Sequence, residues 1–259
     1  MGFQPAANGM ATEPLVPSND GERPLTVLVT GFGPFQDRFP VNPSYEILKL
    51  LPSTFTCLSG EKEIQIIAYH HPIRVSYEEV RRLVPVIHAS YPQGVDLILH
   101  IGMASGRTFY TAERSAHRDG YEKNKDVDGQ TLAADHGQTF FGDCDPILRT
   151  SLDYERVLQR WKWNLQNVPE SSAAYGADCR GSDDAGHYLC DYIYFNSLAW
   201  LARNPTPRAD GAANERPVMF LHVPAESDPR MLYKGKEVAL ALIEAMVESW
   251  IESTDAEMV

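Results

Sequence analysis

Cys190 closes the run SDDAGHYLC (182–190), just after a small, polar break and within the first turn or so of an expected helix. The start of a helix is electropositive and favours the thiolate, the nucleophilic form of cysteine. Gly186 would let nearby backbone N–H groups open toward a ligand, as an oxyanion site requires. His222 follows the apolar run VMFL (218–221) and precedes Val223 and Pro224. That places an imidazole, the usual partner of a cysteine thiolate, at the carboxyl end of a strand. Glu113, in TAER (111–114), could hold the second ring nitrogen and fix its orientation. Each residue also has a plain reading. Cys190 could pack as a small hydrophobe, His222 could bond a backbone carbonyl, and Glu113 could pair with Arg114 on the surface. Singly, the plain readings are the commoner fates. Together the three residues make a Cys–His–acid set that leaves the substrate open.

Other chemistry is weakly supported. GFGPF (31–35) has no third glycine where a dinucleotide loop needs one, and Pro34 obstructs direct entry into a helix. It reads either as a strand-ending turn or as a loop offering two aromatic rings. His70 and His71 are adjacent, so in a strand they would point to opposite faces, and no HExxH or paired CxxC is present. No metal site is expected.

Strands alternating with helices must position these groups. LTVLVT (25–30) is a β-branched strand ended by Gly31, and Asn42 with Pro43 reads as the N-cap and first position of a helix. EIQIIAY (63–69) reads as a second strand. Ser76 opens a helix with Val80, Leu83, Val84 and Ile87 on its apolar face, in which Pro85 predicts a kink or an early end. Val95–Ile101 is a buried strand stopped by Gly102, and 103–150 reads as long and irregular. Asp153 caps a helix through Trp163, 172–177 reads as a strand, and Gly186–Ala202 is an aromatic-rich helix. A strand over 217–223 and a helix over 233–251 complete the chain. This order predicts an α/β fold with a largely parallel sheet covered on both faces, its function gathered beyond the carboxyl ends of the strands. Residues 1–24, rich in proline and polar residues, read as a flexible tail before a single domain over 25–259.

Composition narrows the class. A net charge of −12 repels phosphate backbones and argues against a nucleic-acid partner. No apolar run is long enough to cross a bilayer, the first twenty residues lack a signal-like apolar core, and four scattered cysteines suggest free thiols. A cytoplasmic protein is expected.

Four patches carry a resemblance to the type I pyroglutamyl peptidases, the pyrrolidone-carboxylate peptidases. They are VLVTGFGPF (27–35) with VNPS (41–44), GMASGRT (102–108) leading to Glu113 and Arg114, DAGHYLC (184–190), and FLHVP (220–224). Residues 185–198 and HRDGY (117–121) look closer to animal members. The resemblance implies a single three-layer α/β/α sandwich with a central twisted, mostly parallel (mixed) sheet. It places the catalytic cysteine, histidine and glutamate on Cys190, His222 and Glu113. It places the substrate-binding residues on Phe32 and Phe35, with Asn42 nearby. It implies cysteine exopeptidase chemistry on N-terminally pyroglutamylated peptides through an acyl-enzyme, with no cofactor; the oligomeric state is left open.

The chain also departs from bacterial members. QDRFP (36–40) stands where glycines are usual, 115–130 replaces a DARIPDN-like run, and Met103 stands where many carry Gln. Segments near 135–150 and 203–216 are additional. The alternatives are a cysteine amidase for another small lactam or acyl group, and a catalytically silent ligand-binding member of the fold. Nucleoside phosphorolysis on a related sandwich is disfavoured for want of a phosphate loop.

Overall fold

The structure, a computed structural model, describes residues 24–35, 39–57, 63–91, 95–204 and 217–256. The elements in chain order are β1 (Leu25–Gly31), α1 (Pro43–Leu50), β2 (Thr54–Thr56), β3 (Glu63–Ala68), α2 (Tyr77–Ala89), β4 (Leu97–Met103), β5 (Tyr110–Glu113) and β6 (Ser115–His117). They continue with α3 (His136–Phe141), β7 (Ile147–Arg149), α4 (Tyr154–Gln166), β8 (Cys179–Ser182), α5 (Leu189–Arg203), β9 (Val218–Val223) and α6 (Pro229–Ala256). The sheet runs β2-β3-β1-β4-β9-β5-β8. Its centre, β3-β1-β4-β9, is parallel, while β2 and the β5–β8 pair run against it. A second ribbon pairs β6 with β7.

Alternation along the strands divides the interior in two. Val27, Val29, Leu97, Leu99, Ile101, Met219 and Leu221 face α1, α4 and α6. Leu28, Ile98, Val218 and Phe220 face α2 and α5. Successive strand residues point to opposite faces, so each strand of the parallel centre can serve both layers. The sheet is therefore mixed, mostly parallel at its centre and covered on both sides, the arrangement predicted.

Local chemistry explains the element ends. Asn42 caps α1 through its side chain, which accepts from Ser44 N–H at 3.2 Å, and Pro43 occupies the first turn. Asp153 caps α4 in the same way, accepting from Arg156 N–H. Ser76 makes no side-chain cap on α2; Asp126 instead accepts the Tyr77 N–H at 3.0 Å.

Four expectations need correction. α2 does not end at Pro85 but continues to Ala89, held by the buried face of Val80, Leu83, Val84 and Ile87. Residues 172–177 form turns, because Gly176 has a φ of 68° and Glu237 accepts the Ala174 N–H; the strand lies at Cys179–Ser182. The stretch 103–150 holds β5, β6, α3 and β7, whose three- to six-residue lengths are too short for periodicity to register. α5 begins at Leu189, because Gly186 has a φ of 89° and Tyr188 is extended. The tail expected at 1–24 lies outside the described residues save Pro24, as do 36–38 and 205–216 of the expected insertions.

Candidate active site

Gly102 lies inside β4 rather than after it, directly paired with His222 of β9. A Cβ on Gly102 would stand 2.7 Å from Cys190 Sγ and 2.6 Å from Phe220 Cζ. Such distances leave no room for any side chain, so glycine here is a requirement of close approach rather than of backbone angle. The sulfur thus sits over the sheet at Gly102, and the imidazole stands on the neighbouring strand, one strand spacing of about 4.8 Å away. The fold brings Cys190 and His222 together from elements over thirty residues apart in sequence.

Glu113 reaches His222 along a diagonal. It pairs with Phe220 on β9, while Thr111 pairs with His222, so Glu113 and His222 are diagonal neighbours on one face. His222 Nδ1 lies 2.7 Å from Glu113 Oε1, and both side chains are buried. An ionised carboxylate only accepts, so Nδ1 carries the proton and Nε2 is left with a free lone pair. Arg107 donates to the same Oε1 from Nη1 at 2.6 Å. Its guanidinium, partly exposed, offsets the charge of a carboxylate with no exposure of its own. Arg107 lies in the 102–108 patch, where the sequence carries no expectation for it. Its place six residues before Glu113, across the turn between β4 and β5, was the available signal.

The surroundings of Cys190 weigh against the thiolate that its helix position favours. Burial, chiefly, pushes the Cys190 thiol up to about 12; the Glu113 and Asp191 carboxylates add to the rise, and Arg107 opposes it. A helix terminus contributes only about 0.3–1 kcal/mol, too little to reverse that desolvation. The residue keeps some exposure, but its sulfur is tightly enclosed and protonated at neutral pH.

The start of α5 does supply donors. Its first intrahelical bond there runs from Tyr192 N–H to Tyr188 C=O, and no side chain caps the helix. The N–H groups of Leu189, Cys190 and Asp191 have no acceptor one turn back, as at any helix start. Three backbone donors beside a sulfur can hold a developing oxyanion.

A narrow, mainly apolar pocket opens at the thiol, lined by Phe32, Phe35, Asn42, Val75, Met103, Tyr188, Leu189 and Cys190. Phe35 stacks on Phe39, with ring centres 5.5 Å apart, and leans toward Tyr188. All three residues predicted for substrate line it. Asn42 is occupied within the protein at both ends of its amide: Nδ2 donates to Gly33 C=O at 2.9 Å, and Oδ1 accepts from Ser44 Oγ at 2.8 Å. Val75, Met103, Tyr188 and Leu189 were not assigned as pocket walls. Tyr188 stood in the cysteine patch; Val75 gave no signal.

Comparison with known proteins agrees with this geometry. The family model described as pyroglutamyl peptidase matches residues 25–142. Rat pyroglutamyl-peptidase 1 is 28% identical over 222 residues, 85% of this chain and 89% of the rat protein. The pyrrolidone-carboxylate peptidase of Thermosipho africanus is 26% identical, covering 90% of this chain and 96% of its own. Among solved structures, pyrrolidone carboxyl peptidase from Thermus thermophilus superposes with a TM-score of 0.57 at 26% identity, over 86% of this chain and 98% of that one. A Pyrococcus furiosus mutant (A199P) gives 0.66 at 20% identity, over 86% and 99%, which speaks to the fold. The family match spans the aromatic loop and Glu113, and the relatives extend across most of the chain. With its sheet, its pocket and these likenesses in agreement, the chain is similar to the pyroglutamyl peptidases over most of its length.

Proposed function

We propose that the protein is a cysteine exopeptidase that hydrolyses the bond after an N-terminal pyroglutamyl residue of peptides. The observation that carries the mechanism is the placement of Cys190 Sγ over Gly102, whose strand partner His222 is held by Glu113 at 2.7 Å. Cys190, His222 and Glu113 act as nucleophile, base and orienting acid. Phe32 and Phe35 form the walls for the lactam ring. Asn42 serves them by holding the Gly33 carbonyl, and so the loop between them.

Pyroglutamate has no free α-amine, so a carboxylate cannot select it by charge; flat apolar walls suit its ring. Because the thiol is protonated, attack and proton transfer proceed together. Sγ bonds to the pyroglutamyl carbonyl carbon as its proton passes to His222 Nε2, and the carbonyl electrons move onto oxygen beside the N–H groups at the start of α5. Glu113 stabilises the imidazolium through Nδ1–H. The C–N bond then breaks, and the imidazolium proton leaves with the amine. Water, deprotonated by His222, releases pyroglutamate and restores the thiol.

No helix of the described residues is long and apolar enough to cross a membrane, and the four cysteines are free. These features support a cytoplasmic, reducing environment. Release of a fluorescent amine from pyroglutamyl, alanyl and prolyl conjugates tests the proposal. Selective pyroglutamyl release, blocked by a thiol alkylator, is expected. Equal release from all three, or none from folded reduced protein, would overturn the substrate assignment in favour of another acyl group or a silent site.

A further inference from the structure

Asp191, next to Cys190, is fully buried, and two imidazoles stand against its carboxylate. His117 Nδ1 lies 3.3 Å from each Asp191 oxygen, and His187 Nδ1 lies 3.9 Å from Oδ2. The three ligand atoms lie within 4.8 Å of one another, and the two rings are 4.6 Å apart. A tetrahedral Zn²⁺ with bonds of about 2.0–2.1 Å sets its ligand atoms about 3.4 Å apart. Small ring movements would close the present spacing onto such an ion.

The surroundings complete the arrangement. Tyr121 Oη donates to Asp191 Oδ2 at 2.7 Å, and the His117 backbone N–H donates to Oδ1 at 3.1 Å. Outer donors of this kind orient a ligating carboxylate without consuming all its lone pairs. Asp184 adds a further carboxylate 4.0 Å from His117 Nδ1. The His187 side chain is 45% exposed, which leaves a way in for an ion and for water to fill the remaining coordination position. His187 Nδ1 also lies 3.2 Å from the Asp119 carbonyl, so an arriving cation replaces a ring proton there.

We propose that His117, His187 and Asp191 form a binding site for a divalent transition-metal cation of the Zn²⁺ class, separate from the thiol. Such an ion ties β6 to the segment entering α5, one residue from Cys190. No CxxC or HExxH spacing marks the site, because the ligands come from two distant segments. The proposal stands apart from the peptidase reading.

The test uses the Cys190→Ala protein, so that the thiol cannot bind the metal. Titration with ZnCl₂ by calorimetry is expected to show one saturable equivalent. Co²⁺ in its place should give ligand-field bands without a thiolate charge-transfer band. Adding His187→Ala, or His187→Gln if the first fails to fold, should weaken binding by about 10- to 100-fold or more. Absence of saturable binding would overturn the site. So would binding unchanged by the His187 substitutions, or lost instead on Cys57→Ser; Cys57, Glu244 and Glu248 form the other metal-capable group among the described residues.

Discussion

The two faces of the sheet are built from alternating residues of the same strands, yet they do different work. The face under α1, α4 and α6 is mainly aliphatic, filled by Val, Ile, Leu and Ala around Trp161, Tyr110 and Tyr154, with Asn164 and Glu244 buried and bonded to each other. The face under α2 and α5 is aromatic, with Phe32, Tyr77, Tyr121, Tyr192, Tyr194, Phe195 and Phe220, and polar groups are buried within it. His100 bridges Thr30 Oγ1 at 2.7 Å and Ser197 Oγ at 2.8 Å, Tyr194 Oη reaches the Glu113 carbonyl, and Asp191 and Glu113 have no exposure. Aliphatic packing needs volume and tolerates exchange. Buried polar groups need every partner in place. The lesson is that the candidate catalytic set is housed on the face richer in aromatic rings, with buried polar groups among them.

Leu242→Ala should break this comparison from the structural side. Leu242 is fully buried in α6 on the aliphatic face. Its truncation is expected to lower unfolding free energy by about 2–5 kcal/mol, with kcat/KM per folded molecule unchanged. Urea unfolding and active-site-normalised kinetics check both parts. Arg107→Gln should do the converse. Loss of a charged hydrogen bond to Glu113, about 1.5–3 kcal/mol, is expected to lower kcat by roughly 10- to 100-fold with KM little changed. Because Arg107 also offsets the charge of the buried Glu113 carboxylate, a matched urea curve should show a loss of stability beside the loss of kcat.

The smallest effect comes with pH. Burial, with the neighbouring His88 adding to it, holds His100 down to about 3, against 6.5 when free; burial likewise holds His88 down to about 4. Between about 3 and 6.5 the unfolded chain therefore binds a proton at His100 that the folded chain does not. Stability falls as pH drops through that window and levels below it. From pH 7.5 to about 5.5, His100 alone costs about 1.4 kcal/mol. A His100→Asn variant should lose less over that interval, and an equal loss would show that other groups carry the acid sensitivity.

Much of the fold was legible because its buried strands and capped helices are local signals. Leu25–Gly31 and Asn42–Pro43 announced themselves through β-branching and cap chemistry. Gly102 was misread as a stop, since only the approach of Cys190 from a distant helix explains a glycine within a strand. β5, which carries Glu113, was missed, being four residues long and buried on both faces. The Cys–His–acid set was legible as residue types, and its order came from resemblance rather than periodicity. The protonated state of Cys190 was not legible: helix position favours the thiolate, and only the enclosing side chains show that desolvation outweighs it. Arg107, and the meeting of His117 and His187 over Asp191, are tertiary facts without a sequence spacing.

The central claim is that Cys190 takes the pyroglutamyl group covalently. Its most direct test is rapid acid quenching of the enzyme with an activated pyroglutamyl ester, followed by peptide mass mapping. The account predicts one pyroglutamyl acyl group on the peptide carrying Cys190, and neither acylation nor turnover in Cys190→Ala. An acyl group on another residue, or turnover by Cys190→Ala equal to that of the unaltered protein, would contradict it.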